Sequence, residues 1–267
     1  MKYRNLSILL WISSFILMAA AAYYQRTTGP TYPVRGKTTI DNTEIKYKLI
    51  RTWGGETDAR VSIEIEDPSI TGSYIYKRYK SHDDWTQADM IREDGELVAY
   101  LPGQASAGKV EYKILLKKGT TQVHLEEENI ILRYKGAVPM SVLIPHIIII
   151  FMAMMFSMRT GFEALIKGKN IVSYSLWTVI LLLVGGMIFG PIVQKYAFDS
   201  FWTGWPFGQD LTDNKTLAAF VLWIAAYFSV KNNPKKRGWV IAAAIVLIAI
   251  YIIPHSMLGS EIDYTQQ

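Results

Sequence analysis

The sequence contains no cysteine. That removes disulfides, thiolate metal sites and covalent c-type haem attachment together, without excluding an oxidising compartment, so any soluble domain must rest on its own apolar core. Charge is scarce as well: 19% of the 267 residues are charged, against 50% hydrophobic. The net excess of +5 gathers in a few short loops, and no nucleic-acid motif accompanies it, so nucleic acid is not an expected partner. Nucleophile elbow, P-loop, dinucleotide fingerprint and zincin pair are all missing. Binding is therefore a better expectation than catalysis, and no catalytic residue is nominated.

What is present is unevenly spread. Residues 24–137 are rich in charge and turns, whereas 138–258 are mostly apolar with short polar breaks. Such asymmetry points to a membrane protein carrying one soluble domain. A helix needs about 20 apolar residues to cross a bilayer, and five stretches qualify or come close: 6–23, 138–158, 171–193, 217–230 and 239–258. Lys2 and Arg4 precede the first; Arg159, Lys167 and Lys169 separate the second and third; Lys231, Lys235, Lys236 and Arg237 separate the fourth and fifth. The alternate segments hold few cations and several acids, including Asp199, Asp210, Asp213, Glu261 and Asp263. Cations in short loops stay in the cytosol. The expected topology is thus an inner (plasma) membrane protein with a cytoplasmic N-terminus, 24–137 outside, and an outer tail, 259–267. The basic start and alanine-rich end of 1–23 also fit a signal peptide, but the apolar run is long for one, which favours an uncleaved anchor.

Within 24–137, apolar and polar residues alternate. "TEIKYKLI" puts Ile45, Tyr47 and Leu49 on one face, and "ARVSIEIE" does so with Val61, Ile63 and Ile65. Period-two alternation broken by "DN", "GGE", "EDG" and "KKG" turns predicts seven or eight antiparallel strands, enough for a two-sheet sandwich. The segment "AGKVEYKI" resembles the late strand of immunoglobulin-like and fibronectin-like domains, in which a tyrosine, here Tyr112, makes a corner contact; this implies fold, not activity. The expected fold is a membrane α-helical bundle, an N-terminal anchor plus four transmembrane helices, with an inserted extracytoplasmic all-β, Ig-like sandwich. His82 beside Asp83, Asp84 and Asp89 reads as a solvated turn in preference to a metal loop, and His124 as a surface strand residue.

The apolar part holds two histidines, each behind a proline: "IPHIIII" at His146 and "IPHSML" at His255. His146 lies eight residues into its span, roughly 12 Å along a helix, and His255 lies near the outer end of the last. Each proline leaves a carbonyl without its N–H partner, and an ionisable residue inside a membrane is a functional candidate. Three possibilities stand: the two imidazoles ligate a transition metal or haem b; they pass protons or contact an anion; or they bond helices together. The outer loop, 194–214, contains "FWTGWPFGQD", in which Trp202, Trp205 and Phe207 alternate with turn residues. A compact loop of this kind suggests a fixed lid over the histidines, with Asp210 and Asp213 as further lid candidates. Asp213 is also expected to N-cap the fourth span, and Gly186 with Gly190 forms a GxxxG pattern for close helix approach. The loop text and the two Ile-Pro-His ends resemble an uncharacterised family of bacterial multi-span envelope membrane proteins, a resemblance that supplies no active site. The functional expectation is a non-enzymatic envelope accessory whose partners are the lipid bilayer and another envelope or membrane protein. The alternatives are a redox or metal-handling protein using His146 and His255, and a small transporter component, which would lack the internal repeat usual in transporters.

Overall fold

The computed structural model describes residues 2–254, 259 and 261–266, the first two by their backbone alone. The uneven composition becomes two compact units. A helical unit comprises Met1–Pro30, Val138–Tyr196 and Ser200–Gly259; a β unit comprises Thr31–Ala137, Ala197–Asp199 and Ser260–Gln267. The first helix, α1 (Lys2–Thr28), runs past the expected boundary at residue 23. Thr27 and Thr28 cap carbonyls of the preceding turn with their hydroxyls, and Gln25 donates to the Tyr251 carbonyl at 2.7 Å, so polar side chains can continue the helix.

In the β unit, β1 (Val34–Ile40) and β2 (Thr43–Leu49) form a hairpin that turns at Asp41 and Asn42, both at positive φ. Short polar side chains tolerate that region, and it matches the twist of the two strands. The largest sheet runs β3 (Thr52–Gly54), β11 (Ile130–Lys135), β9 (Lys109–Lys118), β5 (Ile70–Arg78) and β6 (Thr86–Asp89), with β10 (Thr121–His124) also on β9. A third sheet runs β4 (Ala59–Glu64), β8 (Glu96–Leu101) and β7 (Ile91–Glu93). Only β3 and β11 pair in parallel. Strand β9 alternates as its sequence predicts, burying Val110, Tyr112, Ile114 and Leu116. These side chains join Ile45 and Leu49 of β2, Val61 and Ile63 of β4, and Leu132 of β11 in one core fed by all three sheets. The alternating segments, of which seven or eight are expected, are strands. Three further ones, β3, β6 and β7, are short; β6 exposes most of its side chains, so no alternation announces it.

Four tyrosines join this core to its rim. Tyr47, Tyr74, Tyr112 and Tyr134 donate their hydroxyls to the carbonyls of Leu125, Tyr100, Ile50 and Leu101 at 2.7, 3.0, 2.8 and 2.9 Å. Each buries a ring while its polar tip satisfies a backbone acceptor elsewhere in the fold. Burial drives the Tyr112 and Tyr134 hydroxyls far above their ordinary pKa.

The helical unit contains α1, α2 (Met140–Leu165), α3 (Ile171–Leu181), a π-helical segment (Leu182–Phe189), α4 (Gly190–Phe198), α5 (Leu211–Asn232) and α6 (Gly238–Ile252). Among the described residues three helices are long and apolar enough to cross a membrane: Arg4–Thr28, Met140–Leu165 and the continuous Ile171–Phe198. Helix α6 is apolar but, at 15 residues, spans about 22 Å against the roughly 30 Å of a bilayer core. Helix α5 carries Asp213 and Lys215 in its first turns.

Arg159 corrects the sequence expectation. It does not lie in a connector. Helix α2 continues through it to Leu165, and Arg159 and Glu163 are both 0% exposed and 2.7 Å apart. Trp11 and Tyr174 flank the guanidinium with ring centroids 5.6 and 5.0 Å from it. Glu163 also accepts the Asn170 backbone N–H at 3.0 Å, closing the turn into α3. A cation is tolerated there because a carboxylate one turn away neutralises it and aromatic faces replace water. Removing one partner strands the other in an apolar interior. Glu163→Gln is therefore expected to cost about 3–5 kcal/mol in unfolding measurements on detergent-purified protein, and Arg159→Met combined with Glu163→Leu much less.

Candidate functional site

His146 stands in the second turn of α2 and reaches the third long apolar helical stretch, Ile171–Phe198. Its Nδ1 lies 2.9 Å from the Gly185 carbonyl oxygen. A carbonyl only accepts, so the proton sits on Nδ1, and in the neutral ring Nε2 keeps its lone pair. The same carbonyl takes the Gly190 N–H, five residues on, as a π-helical bond. Pro191 follows directly: it brings no N–H, and its ring conflicts with the carbonyl four residues back. The π-helical segment Leu182–Phe189, which leads directly into Gly190 and Pro191, accommodates both defects. Gly185 is what lets the helices meet, because a Cβ there would lie 3.0 Å from both the Ile149 Cγ2 and the Ile150 backbone nitrogen. The expected Gly186–Gly190 pair is thus only part of the packing device: Gly186 faces Thr216 of α5, and Gly185 takes the close backbone approach to α2. His255, the expected second imidazole, lies outside the described residues.

The loop between α4 and α5 is built around Asp213. Its Oδ2 accepts the Thr203 backbone N–H at 2.7 Å and the Gln194 side-chain amide at 3.1 Å. One carboxylate thereby joins α4, the loop and α5. The N-cap of α5 is Asp210, not Asp213: Asp210 Oδ1 accepts the N–H groups of Thr212 and Asp213 at 2.7 and 3.4 Å. The register differs because Asp213 is turned toward the loop. Asn214 adds a third tie, its Oδ1 accepting the Trp205 N–H at 2.6 Å. Gly204 fits against this turn where a Cβ would come within 2.6 Å of the Asp213 Cβ. Trp202 donates its indole N–H to the Trp205 carbonyl at 3.1 Å, and the Trp205–Pro206 peptide is cis. With the backbone held from behind, the rings face outward: Phe201, Trp205 and Phe207 are 57, 69 and 83% exposed. Lys215, one turn further on, is buried and donates to the Ile253 carbonyl at 2.9 Å, tying α5 to the end of α6.

The β unit offers little chemistry at its sequence candidates. His82 and His124 are exposed. Asp83 is committed to Arg78, which grips it with Nε and Nη2 at 2.7 and 2.8 Å, and this pairing lowers the Asp83 carboxyl to about 2. Among the described residues no group of three or more His, Asp or Glu is arranged to hold a metal ion. Asp210 and Asp213 bind amides, and Glu261 is paired with Lys80 and Lys109.

No protein-family model, curated protein or solved structure matches this chain. The close approach at Gly185 can be tested by itself. Gly185→Ala should push α2 away and lower stability by about 1–3 kcal/mol, as overpacking does, measured by thermal unfolding in detergent. His146→Phe at the same contact removes the hydrogen bond to the Gly185 carbonyl and should cost about 1 kcal/mol.

Proposed function

We propose that the protein is a multi-span inner-membrane docking protein, a non-enzymatic accessory of an envelope complex, with its β unit an Ig-like sandwich outside the membrane. Five crossings are inferred, with α5 and α6 completing the set begun by the three long apolar helices. Orientation is supported by where the cations gather. Arg4, Lys167, Lys169, Lys231, Lys235, Lys236 and Arg237 all lie at or beside one set of helix ends, while the opposite ends of α1, α2, α4 and α6 lead into the β unit. Short cationic loops remain cytoplasmic, which puts the β unit and the aromatic loop on the envelope side.

The observation that carries a docking role is the outward presentation of Phe201, Trp205 and Phe207 on a loop fixed by a buried carboxylate. Ordered aromatic rings give large contact area at a low entropy cost on binding, and exposed apolar patches mark interaction surfaces. The same rings suit the outer membrane–water interface, and a partner in the envelope would meet them there.

A second role, ligation of haem b or a transition metal by His146 and His255, is favoured by one feature. Ligating histidines generally donate their other ring N–H to a fixed acceptor, as His146 does to Gly185.

A photo-crosslinking amino acid in place of Trp205 or Phe207, and another at exposed Trp85 of the β unit, should give discrete protein adducts in cells. Adducts to lipid alone at all three positions would contradict docking. A visible Soret band in the purified protein, lost in His146→Ala, would establish the haem alternative in its stead.

A further inference from the structure

The segment that follows α6 makes an unusual set of contacts for a terminal stretch. Glu261 is held by both Lys80 and Lys109. Tyr264 donates its hydroxyl to Gln104 Oε1 at 3.0 Å, and its ring lies under the Arg78 guanidinium, 4.6 Å from the centroid. Arg78 is in turn clamped by Asp83. Tyr79 completes the wall, with Lys109 5.4 Å from its ring centroid. All of these groups belong to the β unit.

Two features separate this seat from ordinary chain packing. Among the described residues the segment contributes nothing to the core: their only backbone hydrogen bond to the strand-bearing part is a long one, Ile262 N–H to the Ala107 carbonyl at 3.4 Å, and they add no strand to any sheet. What holds it is polar, partly exposed and screened by salt, the kind of contact that is individually weak. The cleft, by contrast, is built to receive a negative charge. The Lys109 side chain is largely buried, with Lys80 and Arg133 adding positive charge nearby. Burial pushes the Lys109 ammonium below its ordinary pKa, and Glu261 opposes that shift. With the segment seated, Glu261 supplies the carboxylate that a half-buried cation beside Lys80 and Arg133 favours.

We propose that the cleft of Arg78, Lys80, Gln104 and Lys109 is an exchangeable receptor for an acidic segment bearing a tyrosine. The chain's own 261–264 fills it in cis, and a segment of the same chemistry on an envelope partner displaces it. This deepens the docking role proposed above, although the contacts that carry it lie within the β unit and involve neither the helices nor the aromatic loop. Tethering keeps the internal segment at an effective concentration of about millimolar, so it occupies the cleft until a partner of higher affinity, or one held nearby, competes.

The absence of cysteine makes a direct test possible on the full chain in detergent. A fluorophore on Thr265→Cys, which is exposed, reports docking through its anisotropy. Adding the free peptide Glu-Ile-Asp-Tyr-Thr-Gln at about millimolar concentration should lower the anisotropy in a saturable way. A peptide with Gln and Ala in place of its Glu and Tyr should be at least roughly tenfold weaker, a difference of about 1.4 kcal/mol. Lys80→Ala, a substitution at a partly exposed side chain, should start with lower anisotropy. No response to the peptide, or equal response to both peptides, would overturn the proposal. So would a signal that falls when the protein itself is diluted, which would make a second copy of the chain the occupant. If the peptide fails while adducts at Phe207 or Trp85 persist, docking stands and this cleft is not its site.

Discussion

A buried carboxylate must keep its hydrogen-bond donors or lose several kcal/mol of stability, and Asp213 is under that constraint. The Thr203 N–H and the Gln194 amide satisfy it, and in doing so they fix where α4 ends, how the loop turns and where α5 begins. Asp210 and Asn214 reinforce the same turn from either side. The loop is consequently over-determined on its polar side, and its rings are left to face outward as a pre-set surface. A surface ordered in advance loses less entropy when it meets a partner or an interface. The proposed docking role rests on that economy of order.

The same rule governs the rest of the helical unit. Three ionisable side chains inside it have partners that explain their place: His146 with the Gly185 carbonyl, Arg159 with Glu163, Lys215 with the Ile253 carbonyl. These bonds run between elements or close the turn into the next one, so they align the helices as well as satisfy charge. The π-helical turn is part of this scheme. At the end of the eight-residue π-helical segment the Gly190 N–H bonds the Gly185 carbonyl, and His146 uses that carbonyl's second lone pair.

Much of the fold was legible because burial has a period. Val110, Tyr112, Ile114 and Leu116 alternate in text and in the core alike, and the apolar runs at 138–158 and 171–193 fall in helices, Met140–Leu165 and Ile171–Phe198, long enough to cross a membrane. Pairing between distant residues is what periodicity cannot show. Arg159 reads as the first cation beyond a span, and only Glu163, four residues on, signals that the helix continues with both side chains buried. Asp210 and Asp213 are equally good caps by composition; the loop that folds back on Asp213 decides between them. Gly185 lies outside the Gly186–Gly190 pattern although it is the glycine that meets the backbone of α2. Strands β6 and β7 lie among "DDWTQADMIRED" without alternation, since edge strands bury little. The attachment of Glu261 to Lys80 and Lys109 spans more than 150 residues of sequence and leaves no local trace.

The part assigned to Asp213 is open to one direct measurement. Hydrogen–deuterium exchange over residues 200–210 should show protected amides in the wild-type protein, the Thr203 amide among them. Asp213→Ala should release that protection while the amides of α2 and α3 keep theirs. Unchanged exchange in the loop after Asp213→Ala would mean that the carboxylate does not hold it, and the fixed aromatic surface would have no physical basis.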